Sequence, residues 1–160
     1  MSNPKLILTI GISASGKSTF AEQMLAKDAN LVRVSRDEYR YMWRNSGVVS
    51  PYFETLITNR IDQDIKKFLT DGMNVLVDAT NLTAKYLNQF VKSFNELADI
   101  EFIVFDVDMD ECIRRDALRQ RKVGEEVIRR QYKNFIELKN KYEILVKYKK
   151  RTRGTCNKIT

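Results

Sequence analysis

The 160-residue chain has no histidine, only two cysteines and only two prolines. The absent histidine excludes Ser-His-Asp and Cys-His nucleophile pairs, histidine-containing metal sites and an imidazole general base. Acid–base chemistry must therefore fall to Asp, Glu, Lys, Tyr or Cys. Cys112 and Cys156 stand far apart and match no metal-ligand or redox spacing, as expected of reduced thiols in a cytoplasmic setting. No apolar run reaches the ~18–20 residues that span a bilayer, so no membrane partner is expected. The apolar stretch near the start is broken by Gly11 and Lys17 and lacks a signal-peptide cleavage pattern. Linkers rich in Pro, Gly or Ser, internal repeats and low-complexity segments are also missing, which points to one domain.

What is present describes a globular protein. Hydrophobic residues make up 43% and charged residues 31%, far from a disordered composition, and the length suffices for a real core without staples. The net charge is +7, a prior for a polyanionic partner whose weight depends on where the charge lies.

Short apolar runs alternate with amphipathic patterns along the chain. Strands are predicted at 5–10, 31–34, 74–78 and 100–105. Between them, helical patterns run over 18–27, 52–69 and 86–97, and Asp71-Gly72 closes the second. Helix resumes from Asp110, and Val127, Ile128, Gln131, Tyr132, Phe135, Ile136 and Tyr142 predict one or two long helices over about 125–145. Strand–helix alternation of this kind implies an α/β fold: a parallel sheet of about four strands in a three-layer sandwich, flanked by helices. Residues 1–146 form the expected domain. Residues 147–160 are basic, lack apolar periodicity and read as a solvated or partly ordered tail.

The strongest motif is Gly11-Ile-Ser-Ala-Ser-Gly-Lys17-Ser18, which fits G-x-x-x-x-G-K-[ST] and is followed by Thr19. It leaves a predicted strand and opens a predicted helix, the setting in which backbone amides and a helix N-terminus cradle phosphates. Gly11, Ser13, Ala14, Ser15, Gly16, Lys17, Ser18 and Thr19 are the candidate nucleotide-binding residues. Lys17 would reach the β- and γ-phosphates of ATP, and the Ser18 hydroxyl would ligate Mg²⁺. A dinucleotide loop would require a glycine where Ser13 stands, and no Asn/Thr-Lys-x-Asp base-reading motif of a GTPase follows. A small phosphotransferase with a helical lid is the expectation.

Two further elements fit that chemistry. Ser35-Arg-Asp37-Glu-Tyr-Arg40 lies just past the second strand, at the carboxyl edge where ligands bind in such sheets. Asp37 is the candidate general base for an acceptor hydroxyl; capping the following helix is its alternative role. Arg40 could fork onto a substrate phosphate or stand as an exposed helix cation. Farther on, Arg115 and Arg119 are spaced i,i+4 and would share a helix face on a lid around the donor phosphates. The alternative is a solvated helix whose arginines pair with Asp110, Glu111 and Asp116.

Taken together, the cradle, Arg36-Asp37-x-Tyr39-Arg40, Thr80-Asn81-Leu82 and Arg115-x-x-x-Arg119 occur in the order seen in phage-type polynucleotide 5′-hydroxyl kinases. From about Pro4 to about Leu145 the chain resembles that kinase domain, without the 3′-phosphatase domain of the best-known relative. The resemblance implies transfer of the ATP γ-phosphate to the 5′-hydroxyl end of a single-stranded DNA or RNA, with Mg²⁺, in the cytoplasm (a host cytoplasm if phage-encoded). It implies Asp37 as base, Lys17, Arg115 and Arg119 around the donor phosphates, and Arg40 and Thr80 on the acceptor side. The family's acceptor-site aspartate directly precedes the Thr; here that place is Ala79 and the aspartate is Asp78. Asp78 is accordingly an acceptor-side candidate, with a metal-facing role as its alternative. A kinase for a small metabolite hydroxyl, or a nucleotide-dependent nucleic-acid-binding module without transfer activity, are the competing readings.

Overall fold

A computed structural model describes residues 2–141, so the basic tail, Tyr142, Leu145 and Cys156 lie outside the described residues. The elements run β1 (Lys5–Ile10), α1 (Lys17–Lys27), β2 (Leu31–Ser35), α2 (Arg36–Arg44), α3 (Pro51–Thr70), β3 (Asn74–Asp78), α4 (Ala84–Phe94), β4 (Asp99–Val104), α5 (Met109–Leu118) and α6 (Glu125–Asn140). The four strands form one parallel sheet in the order β2-β3-β1-β4.

Alternation along each strand divides the buried residues between the two faces of the sheet. Leu6, Leu8, Ile10, Val34, Val75, Val77 and Ile100 join the larger cluster with residues of α3, α4, α5 and α6. Ile7, Leu31 and Leu76 meet Ala21 of α1 in a second cluster, with Phe20, Met24 and Leu25 packed against it. In α3, Ile57, Ile61, Ile65 and Leu69 recur at helical spacing and are all buried. Each such side chain contributes about 1.5–3 kcal/mol relative to exposure. Helix starts follow local chemistry: Ser50 caps α3 at the Phe53 amide with Pro51 in its first turn, and Gly72 (φ 81°) follows its end.

Because every strand is parallel, the carboxyl ends of β1, β2 and β3 open on one edge of the sheet. The segments 11–18, 36–40 and 78–81 all leave from that edge. Thr9 ties β1 to β3 there, its buried hydroxyl donating within 3.1 Å of the Val77 and Ala79 carbonyls. Among the described residues, no helix is long and apolar enough to cross a membrane.

Candidate active site

The loop after β1 folds back on itself through two left-handed residues, Ala14 (φ 62°) and Gly16 (φ 99°). Such turns line up successive amides as an anion-binding concavity. Gly11 is needed for close approach instead: a Cβ there would stand 2.9 Å from Phe105 Cβ and 3.0 Å from its carbonyl oxygen. The α1 N-terminus has no side-chain cap, which leaves its first amides facing the loop. Two outside contacts hold the loop. The Ser13 amide donates to Gln131 Oε1 of α6 at 2.8 Å, and the Gly11 amide donates to the Thr80 carbonyl at 3.1 Å. Thr80 therefore meets the site through its backbone. Asn81 (φ 49°), buried, donates from Nδ2 to the Thr9 carbonyl at 2.7 Å and pins the same segment.

Lys17 closes the loop from within. Its Nζ donates to the Ile12 carbonyl at 2.5 Å and to Ser15 Oγ at 3.3 Å. Burial lowers its pKa to about 8, opposed by the nearby carboxylates of Asp78 and Asp37, while Arg119 lowers it further. Charging this lysine costs the fold stability below about pH 8, and the cost disappears between pH 8 and the ordinary lysine value, where only the unfolded chain still holds the proton. A bound polyphosphate would restore the ammonium. Nucleoside triphosphate affinity is therefore expected to fall as pH rises above about 8, by up to tenfold per unit, with proton uptake on binding. Calorimetry between pH 7 and 9.5 measures this. Affinity that stays flat in the native protein, or that falls equally in Lys17→Met, contradicts it.

Ser18 Oγ donates to Asp78 Oδ2 at 3.0 Å. The same carboxylate oxygen accepts from Arg33 Nε at 3.0 Å and Nη2 at 2.5 Å, with the Asp78 side chain 4% exposed. Asp78 thus stands against the donor cradle rather than open to an acceptor. A hydroxyl beside a carboxylate offers the hard oxygen donors that Mg²⁺ favours, so Ser18 and Asp78 are the residues that would hold such a cation. Among the described residues, no group of three or more Cys, Asp or Glu could hold a metal ion by itself.

Asp37 lies in the first turn of α2 with a largely exposed carboxylate, 2.5 Å from Arg40 Nη1. It is not the helix cap: Ser35 fills that role, its hydroxyl accepting from the Glu38 amide. The reason is local, since Ser35 still has extended backbone while Asp37 is already helical. Arg40 is held on its other edge by Glu54, with Nε–Oε1 at 2.6 Å and Nη2–Oε2 at 3.1 Å. Glu54 also accepts from Arg36 at 3.2 Å, and these guanidinium groups hold its carboxyl below the usual value against the effect of burial. Arg40 is thus a clamped, half-buried cation and not a free surface charge.

The lid reads differently from the expectation of one arginine face. Helix α5 ends at Leu118, and Arg119 has extended backbone (φ −93°, ψ 159°), so Arg115 and Arg119 do not share a helix face. The reason is Asp116. This buried carboxylate accepts from the amides of Val123 at 3.1 Å and Gly124 at 2.9 Å, folding the chain back after one turn's loss of helix, and pairs with Arg119 at 2.9 Å. Arg115 and Arg114 both bond Glu111, which pulls its carboxyl down to about 2. The expected local ion pairs with Glu111 and Asp116 are therefore present. Arg121, in the same connection, reaches across to α2, pairing with Glu38 at 3.0 Å and lying 3.8 Å from the Tyr41 ring centroid.

Arg33, Glu54, Gln131 and the amide contacts of Asp116, which was expected only as an ion-pair partner, were not foreseen from the sequence. Only Arg33 left a local signal, a charge inside an otherwise apolar strand. The other three act on partners that the sequence does not place beside them.

A parallel sheet with a phosphate cradle after β1, a carboxylate after β2 and an arginine-bearing connection after α5 is the fold of the P-loop kinases. The chain belongs to the AAA domain family, which matches residues 6–138. It is 26% identical over 156 residues to a protein of Autographa californica nuclear polyhedrosis virus named as a bifunctional polynucleotide kinase/RNA ligase, covering 87% of this chain and 22% of that one. Among solved structures, a chain of the Pnkp1/Rnl/Hen1 RNA repair complex superposes with TM-score 0.82 at 32% identity, over 90% of this chain and 48% of the other. The Mycobacterium tuberculosis APS kinase CysC, in complex with AMPPNP and APS, shares the fold at TM-score 0.58 and 22% identity, over 74% and 71% of the two chains. The chain therefore spans less than half of the first two of these relatives.

Proposed function

We propose that this domain transfers the γ-phosphate of ATP to the 5′-hydroxyl end of a DNA or RNA strand in the cytoplasm. The observation that carries this reading is the hydrogen bond of Ser18 to Asp78 beside the buried Lys17, with Asp37 and its ion pair to Arg40 leaving from the same edge of the sheet. The names of the viral relative and of the RNA repair complex support nucleic acid as the acceptor. In this reading residues 11–19 hold the donor phosphates, and Ser18 with Asp78 holds the cation. That cation, when bound, offsets charge on the phosphate oxygens. Asp37 accepts the proton of the attacking hydroxyl while Arg40, fixed by Glu54, receives the acceptor's nearest phosphate and Thr80 borders it. Lys17, Arg115 and Arg119 oppose the charge that builds on the transferring group, the last two after exchanging their carboxylate partners for phosphate oxygens.

Phosphate contacts need no base readout, which suits an enzyme of strand ends. Incubation with γ-labelled ATP and magnesium, across 5′-hydroxyl DNA, 5′-hydroxyl RNA, nucleosides and sugar alcohols, tests the proposal. Label on oligonucleotide ends is expected. Label confined to a small metabolite, or ATP binding without transfer to any acceptor, would overturn it.

A further inference from the structure

Beside the cradle the molecule holds a second built feature, a cavity of about 500 Å³ lined by Arg33, Ser35, Glu38, Tyr39, Met42, Trp43 and Arg60. A volume of this size suits a nucleoside-sized ligand. The lining positions 38, 39, 42 and 43 share one face of α2, with Ser35 at its N-cap, whereas Asp37 lies on the far side of the helix and Arg40 between the two. The inner wall is Arg33, bonded to the carboxylate that receives Ser18, so the cavity begins one side chain away from the phosphate site. The outer wall is Trp43, edge-on to Tyr39 with centroids 6.1 Å apart, and beside it Met42 is 68% exposed.

The charges of this cavity are already matched. Arg33 is bonded to Asp78, Arg60 to Asp64 at 3.0 Å, and Glu38 to Arg121. The Tyr39 hydroxyl donates to Asp64, and burial together with that bond raises it to about 12, so the ring stays neutral. A cavity with paired charges does not call for a phosphate. It calls for a flat, neutral, polarisable ligand, because a guanidinium bonded at its edge still offers a face for stacking, as do Tyr and Trp rings.

We infer that the cavity of Arg33, Tyr39, Met42, Trp43 and Arg60 is a base-stacking subsite that takes an inner nucleobase of the single-stranded acceptor. This rests on the proposed nucleic-acid reading of the acceptor. Trp43 is six residues beyond Asp37, about 9 Å along the helix axis. That axial separation already exceeds the roughly 3.4 Å rise of one nucleotide in a stacked strand, which puts the subsite beyond the terminal nucleotide. Stacking of this kind tolerates any base and so serves an end-processing enzyme without sequence preference.

Trp43 is the chain's one tryptophan, so intrinsic fluorescence reports on the cavity alone. Oligonucleotides of three or more residues with a 5′-hydroxyl are expected to quench it saturably, and an abasic residue at the second and third positions to abolish the quench. For transfer, Trp43→Ala is expected to raise the oligonucleotide KM roughly 5- to 150-fold with kcat unchanged, the range of one stacked base. Trp43→Phe should keep most of the affinity, and a nucleoside 3′-monophosphate acceptor should show no difference between variants. Unaltered fluorescence at saturating oligonucleotide, or an unmoved KM in Trp43→Ala, overturns the subsite while leaving end phosphorylation intact. A free nucleoside that saturates the quench as tightly as an oligonucleotide also overturns it, making the cavity a metabolite site. Quenching without transfer to any end would instead sustain the subsite and remove the kinase reading.

Discussion

Replacing Asp37 with Asn is expected to lower the turnover of phosphoryl transfer by about 10²–10⁴-fold while leaving ATP affinity within about twofold. The substitution preserves volume and removes only the ability to take a proton. With no histidine in the chain, no imidazole stands by to substitute for it. The carboxylate is exposed, and Arg40, with which it forms an ion pair, has a second anchor in Glu54, so the guanidinium keeps its place when Asp37 is neutralised. Stability should change by less than about 1 kcal/mol, as for other exposed pairs. Single-turnover rates and equilibrium ATP binding separate the two effects. Native turnover in the variant would remove Asp37 from the chemistry. Loss of ATP affinity in parallel would show that its part is to shape the cradle.

Asp78→Ala is expected to be damaging twice over. It strips the acceptor from Ser18 and leaves Arg33, whose side chain is only 22% exposed, without its carboxylate. Removing one partner of a largely buried pair costs about 3 kcal/mol, measurable as a shifted denaturation midpoint. Separately, the magnesium concentration for half-maximal transfer should rise about 10- to 100-fold, as when a ligand-orienting group is lost. The two effects are separable. Adding Arg33→Met removes the orphaned charge and should recover much of the stability, yet restore none of the magnesium response. A single variant with native stability and native magnesium dependence would contradict the placement of Asp78 at the cation.

Most of the framework was legible in the residues. Lys5–Ile10 and Asn74–Asp78 are short apolar runs of fixed period, and the observed strands have those bounds. The lateral order β2-β3-β1-β4 was not legible, because periodicity describes each strand's faces and carries no information on its neighbours. The same limit governs the site. The cradle is one contiguous stretch whose geometry is written in Gly16 and Lys17. The clamp on Arg40 comes from Glu54, fourteen residues away on the next helix, and the Asp78 partner of Ser18 comes from the end of β3, sixty residues away. The lid shows a local pattern overruled by a tertiary contact. Spacing of i,i+4 would align Arg115 with Arg119 on a continuing helix, but Asp116 binds the amides of Val123 and Gly124 and the helix ends at Leu118.

If a strand's 5′-hydroxyl end is the acceptor, the position of the transferred phosphate shows it directly. An oligonucleotide phosphorylated from γ-labelled ATP would be digested to mononucleotides, and the labelled product identified. All label is expected in the nucleoside 5′-monophosphate of the first residue, and an oligonucleotide already bearing a 5′-phosphate is expected to accept none. Label at a 3′ end or an internal position, or release of the γ-phosphate to water alone, would contradict it.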